Sequence, residues 1–245
     1  MTADAEPRIR VKTDRWTSAM KPAFFDLLER LRHGAIGAQD YMRELMRLLE
    51  GEHLAHALRQ EADEAMRIDG QLELLRRHVD DCRHTVLLYR VDENEVHPPH
   101  RHFNVISAQV VMRGRVHLRE YDRIRRDDDG RLVMKLTRDC ELGPGGAFNA
   151  GEWHRNVHWF TAVGGPALIF NINARGYEKA TFDSEDQGRF GRRYIDLSSI
   201  GEDGTAVCEE LDEETAETRF QGKPLTNFPL PAGLAGTGEG PSISI

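Results

Sequence analysis

The sequence predicts a mostly β chain: an antiparallel barrel or sandwich, preceded by a helical region and followed by an acidic extension. Three observations carry this. Short runs rich in β-branched residues recur from residue 84 onward, namely "TVLLYRV", "NVISAQVVM", "RVHLREY", "RLVMKL" and "PALIFNINA". Turn chemistry in "DENE", "RG", "DDDG" and "GPGG" separates them, with no helical pattern between successive runs. Upstream, apolar residues recur instead at helical spacing.

Residues 17–80 read as helical. Phe24, Leu27, Leu28 and Leu31 mark one buried helix face, with Ser18 as a cap and Pro22 in the first turn. "HGAIG" ends that helix. Tyr41, Leu45, Leu48 and Leu49 mark a second amphipathic stretch, Leu54, Leu58 and Ala62 a third, and "GQLELLRRHVDD" a short last one. "DDDG" between two strand-like runs signals a hairpin. After about residue 181 periodicity fades, and "GLAGTGEGPSISI" reads as a flexible tail. The expected division is 1–82 helical, 83–182 barrel, and 183–245 acidic extension.

Composition narrows the function. The chain has 245 residues and a net charge of −8, and the last 65 residues hold 13 acidic against 5 basic side chains. No segment carries the clustered basic excess that nucleic-acid binding requires, so nucleic acid is not an expected partner. No apolar run approaches the roughly 20 residues of a membrane helix, and "MTADAEPRIR" lacks a signal peptide's apolar core. A cytoplasmic protein, monomeric or homodimeric, is expected. Cys82, Cys140 and Cys208 lack the spacing of a disulfide framework or zinc knuckle.

The chemistry concentrates at "HPPHRHFNVISAQVVMRG", residues 97–114. In a strand, side chains two apart share a face, so His100 and His102 can grip one metal ion. Continued along the run, that parity places Asn104, Ile106, Ala108, Val110 and Met112 with them, facing the interior. A second cluster, "GPGGAFNAGEWHRNVHW", adds His154 and His158 some fifty residues later. Two imidazoles plus a distant third suit a first-row transition metal and leave positions open for substrate and oxygen.

These residues resemble the double motif of the cupins, G-x5-H-x-H-x(3,4)-E-x6-G followed by G-x5-P-x-G-x2-H-x3-N. "HRH" supplies His100 and His102, and Gly114 closes the first motif. Gly143, Asn149 in the proline place, Gly151 and His154 follow the second, with His158 in the asparagine place. The resemblance covers about residues 84–175 and implies an RmlC-like cupin β-barrel, or jelly roll. The cupin glutamate is replaced by Ile106 or Ser107, and Gln109 lies on the other parity unless a bulge intervenes. The resemblance thus implies three neutral ligands, His100, His102 and His154, similar to the ferrous site of the thiol dioxygenases, the cysteine dioxygenase group. Those enzymes carry Ser-x-His-x-Tyr on the next strand, where this chain offers Leu168, Phe170 and Ile172.

Three imidazoles leave iron(II) its full charge, which favours an anionic, chelating substrate. Arg76 and Arg77 are candidates to clamp its carboxylate. His158 and Trp153 are candidates to line the reaction pocket, with Trp159, Tyr89, Cys140 and Glu152 near it. His97 reads as a rim residue and His117 as structural. The expected function is a mononuclear non-haem iron(II) dioxygenase acting with dioxygen on a small anionic metabolite, a thiol or a carboxylate. The alternatives are an isomerase, lyase or hydrolase using zinc, nickel or manganese as a Lewis acid, and a non-catalytic binder of small molecules.

Overall fold

Helical spacing forms helices where the sequence shows it. In a computed structural model, α1 (Lys21–Arg32) buries Phe24, Leu27, Leu28 and Leu31, and α2 (Ala38–Glu50) buries Tyr41, Leu45 and Leu49. Two short helices follow, α3 (Leu54–Ala57) and α4 (Arg59–Ala65). The structure describes residues 9–12, 21–50, 53–68, 70–80, 82–93, 95–151, 154–178, 190–234 and 236. Ser18 lies outside the described residues, as do Glu152 and Trp153. No helix among them is long and apolar enough to cross a membrane.

The expected fourth helix is a strand. "QLELLRRHV" forms β2 (Gln71–Val79), paired antiparallel with β3 (Cys82–Val91), while β1 (Ile9–Lys12) runs parallel to β2. Leu72 to Leu75 are all buried, the three leucines in one apolar cluster with the helices and Glu73 paired with Arg76. The bulge between Glu73 and Leu75 puts consecutive leucines into that cluster and breaks the alternation that marks a half-exposed strand. The boundary expected at 82/83 therefore falls at the start of β3, inside a β-hairpin.

The remaining strands are β4 (Val96–Phe103), β5 (Val105–Arg113), β6 (Val116–Arg126), β7 (Leu132–Leu142), β8 (Ala147–Ala150), β9 (Val157–Ala162) and β10 (Ala167–Arg175). "DDDG" turns β6 into β7, as its chemistry predicts. Beyond residue 182 the expected loose extension is largely built structure. It supplies β11 (Gly191–Ile195), β12 (Thr205–Cys208), β13 (Glu210–Leu211), α5 (Glu213–Phe220) and a 3₁₀ turn at Leu225–Asn227. β11 is hydrogen-bonded to β4, beside the histidines.

Two curled sheets result, in the orders β1-β2-β3-β10-β5-β8 and β12-β7-β6-β9-β4-β11-β13. The fold is mostly β, a barrel of two curled sheets with helices on its N-terminal side. α1 and α2 pack on the outer face of the six-stranded sheet, against Val86, Leu88, Val110, Phe170 and Ile172. Leu118, Phe148, Phe160 and Ile169 fill the closed end of the interior. The C-terminal segment covers the outer face of the other sheet, where Trp159 packs on Phe220 and Phe228. Gly114 closes its turn at φ +73°, and a Cβ there would come within 2.5 Å of the Pro166 carbonyl oxygen.

Candidate metal centre

The local chain path aims the histidines. Pro98 and Pro99 cannot donate to a ladder, and β4 carries a bulge there: His97 pairs with Phe160, but His100 pairs with His158. The extra residue brings His97, His100 and His102 onto one inward face. Asn104 then adopts a left-handed conformation at φ +49° and ends the strand. Its side chain bridges to Glu178, accepting from the backbone N at 2.9 Å and donating to the carbonyl oxygen at 2.8 Å.

That corner corrects the parity expected from the sequence. β4 and β5 lie in different sheets, and inwardness switches between them. Val105, Ser107 and Gln109 line the cavity, while Ile106, Ala108, Val110 and Met112 pack under the helices. Ser107, in the cupin glutamate's place, therefore faces the histidines. Gln109 also lines the cavity, its Oε1 accepting from the Tyr89 hydroxyl at 2.6 Å.

The third imidazole of the cluster is His158, not His154. Ring centroids lie 4.6 Å apart for His100 and His158, 4.9 Å for His100 and His102, and 5.1 Å for His102 and His158. All three are buried, and one candidate ligand nitrogen from each lies within 4.8 Å of the others. His154 sits in the turn before β9 with its side chain 64% exposed and its Nδ1 3.6 Å from Asp122. Motif spacing favours His154, yet His154 lies in the turn before β9 and does not line the cavity. His158 is on β9, sharing its inward face with Phe160 and Ala162. That alternation is hidden in the sequence because Val157 and Trp159, on the outward face, are apolar and buried too.

The donor set fits a metal. His100 donates through Nδ1 to the Pro98 carbonyl oxygen at 2.8 Å, which leaves its Nε2 lone pair available. His102 Nε2 and His158 Nδ1 are buried with no hydrogen-bond partner among the described residues. Burial holds all three imidazoles well below the ordinary histidine range, reinforced by their mutual repulsion and by Arg192. They are therefore neutral at pH 7, the state a metal requires. Among the described residues, no carboxylate joins the cluster.

The cavity around them holds about 230 Å³. Its floor is apolar, with Phe160 stacked on His97 at 4.7 Å, and burial pulls His97 down to about 4. Across from the histidines stand Ser107, Gln109, Asn171 and Asn173; Arg83, Arg175 and Arg192 also line the space. A second hollow of about 420 Å³ shares Gln71, Tyr89, His97, Arg192 and Glu213 with it. Directly across the strand pair from His158 is Glu120, fully buried 3.0 Å from Arg138. Burial pushes its carboxyl up to about 7, opposed by Arg138 and Arg155.

The arginines expected to clamp substrate lie elsewhere. Arg76 is tied to Glu73, its Nε donating at 2.9 Å, and Arg77 lies on the helix side with its guanidinium 4.2 Å from the Phe25 ring centre. Neither lines the cavity. Tyr89 does; Cys140 packs beside the apolar floor cluster, and Trp159 faces outward. His117 donates to or accepts from no cavity group and is bound to Asp139 at 2.8 Å. The cavity arginines were missed because Arg192 arrives from the C-terminal segment, which shows no periodicity. Asn171 and Asn173 alternate with Leu168, Phe170 and Ile172, the positions to which the resemblance draws attention.

No protein-family model matches the chain, and no curated protein does. Solved structures do. Procruciferin, an 11S globulin from Brassica napus, is 11% identical with a TM-score of 0.30, over 45% of this chain and 22% of its own. KdgF from Halomonas sp. is 20% identical with a TM-score of 0.29, over 43% and 76%. Cellulomonas parahominis L-ribose isomerase, solved with L-psicose, is 16% identical with a TM-score of 0.34, over 51% and 68%. These likenesses concern fold alone.

Proposed function

We propose that the chain is a metal-dependent enzyme, a mononuclear iron(II) dioxygenase acting on a small anionic metabolite. The observation that carries this reading is the convergence of three buried, neutral imidazoles, His100, His102 and His158, on a cavity of about 230 Å³. Iron(II) bound there would supply a centre that activates dioxygen beside a coordinated substrate.

The chain's own groups do the rest. The Pro98 carbonyl fixes the His100 tautomer. His97 and Phe160 exclude water from the floor of the site. With three neutral ligands, a divalent cation retains its whole charge, so an anionic ligand is favoured. Arg192 and Arg175 add positive potential, which also disfavours protonation of His102. The volume beside the histidines is below the roughly 300–1,000 Å³ of pockets for drug-sized ligands, which favours a small group at the metal.

Nitric oxide, a surrogate for dioxygen, tests the reading. Protein reconstituted anaerobically with iron(II) should give a ferrous–nitrosyl spin-resonance signal, and the His100→Ala/His158→Ala variant should give none. A wild-type protein that loads zinc, nickel or manganese but refuses iron would sink the oxygenase and favour a Lewis-acid isomerase or lyase. Wild type and variant with the same negligible metal content would sink both.

A further inference from the structure

The wall facing the histidines has a chemistry of its own. β5 and β10 are paired there, with Ser107 opposite Asn173 and Gln109 opposite Asn171. All four line the cavity. They form an uncharged band between an apolar end, where Ile169 pairs with Val111, and a cationic end, where Arg175 pairs with Val105 and with Arg83. Ser107 Oγ and Asn171 Oδ1 are buried with no hydrogen-bond partner among the described residues. Ser107 is only 1% exposed. The Tyr89 hydroxyl occupies Gln109 Oε1, so the Gln109 amide can offer donors to the cavity.

Buried polar groups lacking partners are costly to a fold, so what they would recognise is informative. A second carboxylate would call for donors alone, and a cationic group for unengaged acidic side chains, whereas Glu213, the acidic residue in the cavity lining, sits 3.9 Å from Arg192 and outside this band. A thiol is a weak partner for either role. Amides and a hydroxyl, which both donate and accept, match groups that do the same. Resting on the proposed metal-dependent reading, we infer that the substrate is a short polyhydroxylated carboxylic acid. Its carboxylate end is held at the metal and cationic rim, and its further hydroxyls bind the band of Ser107, Gln109, Asn171 and Asn173. This departs from the thiol substrates implied by the sequence resemblance.

Pairs of acids that chelate metal identically isolate the band's contribution. Glycerate and lactate are both 2-hydroxy acids, as are threonate and 2-hydroxybutyrate, and each pair differs only in hydroxyls beyond the chelate. Cobalt(II)-loaded protein, titrated calorimetrically, should bind glycerate at least tenfold more tightly than lactate, and threonate should exceed 2-hydroxybutyrate by more. In Ser107→Ala and in Asn171→Leu, the advantage should shrink toward unity, while cobalt affinity, read from its visible spectrum, stays put. Loaded wild-type protein that binds lactate as well as glycerate, or binds neither, overturns the inference, as does an advantage that survives both substitutions. Failure to load cobalt at all counts instead against the metal-dependent reading.

Discussion

The two faces of β10 divide the molecule's labour. Leu168, Phe170, Ile172 and Ala174 point toward the helices, all at most 1% exposed, within one apolar cluster. Ile169, Asn171, Asn173 and Arg175 point the other way, and the last three line the cavity. The contrast extends to histidines. On the helix side, His84 sits 3.2 Å from the Cys82 sulfur beneath Phe24, and burial pulls it down to about 3. It has one cysteine sulfur beside it in an apolar setting, and among the described residues no third ligand completes a site there. On the barrel side three imidazoles meet. Burial alone therefore does not distinguish a functional histidine from a packed one; convergence does.

Substitutions on each face sharpen this division. Phe170→Ala should have the largest effect on stability, about 3–5 kcal/mol by denaturant titration, with metal still bound by the folded fraction. His158→Ala should reverse the pattern. Metal affinity, measured by competition with a chelator, should fall at least about a hundredfold, more than outer contacts to a ligand usually contribute. Its metal-free form should lose far less stability than Phe170→Ala.

A smaller effect should come from Glu120. Its carboxyl is raised on folding from 4.5 to about 7, so its contribution to stability is fully present below pH 4.5 and is lost as pH rises through about 7. Asp139 works in the opposite sense. Held down to about 2 by His117 and Arg119 against the opposing cost of burial, it stabilises above its ordinary 3.8 and loses that contribution as pH falls toward 2. The five buried histidines His84, His97, His100, His102 and His158, all held below their ordinary 6.5, act against Glu120 and raise the unfolding midpoint of metal-free protein as pH rises toward 6.5, so Glu120→Gln should steepen that rise. Arg77→Ala should matter least, about 1 kcal/mol or less from its contact with Phe25, without changing metal affinity. A large loss of ligand binding in that variant would restore the clamp expected from sequence.

Much of the fold was legible because single-sided elements write their period into the sequence. α1 and α2 are such elements, and the β6–β7 hairpin announces itself by its turn residues. A bulge breaks the alternation of β2, and β9 is apolar on both sides, so the sequence reads one as a helix and places His158 in the pocket rather than on the metal. His100 and His102 were legible from their two-residue spacing. The Asn104 corner was not, because a left-handed asparagine looks like any other in a string of letters, yet it reverses which half of β5 meets the cavity. Arg192 depends on a strand pairing with β4 across some ninety residues, which local pattern cannot reveal.

Elemental analysis of wild type, His154→Ala and His158→Ala, purified side by side, addresses the core of the account. One bound metal ion per chain should remain in the first two and vanish from the third. Retention by His158→Ala, or loss from His154→Ala, would mean that the inward imidazole on β9 does not complete the centre.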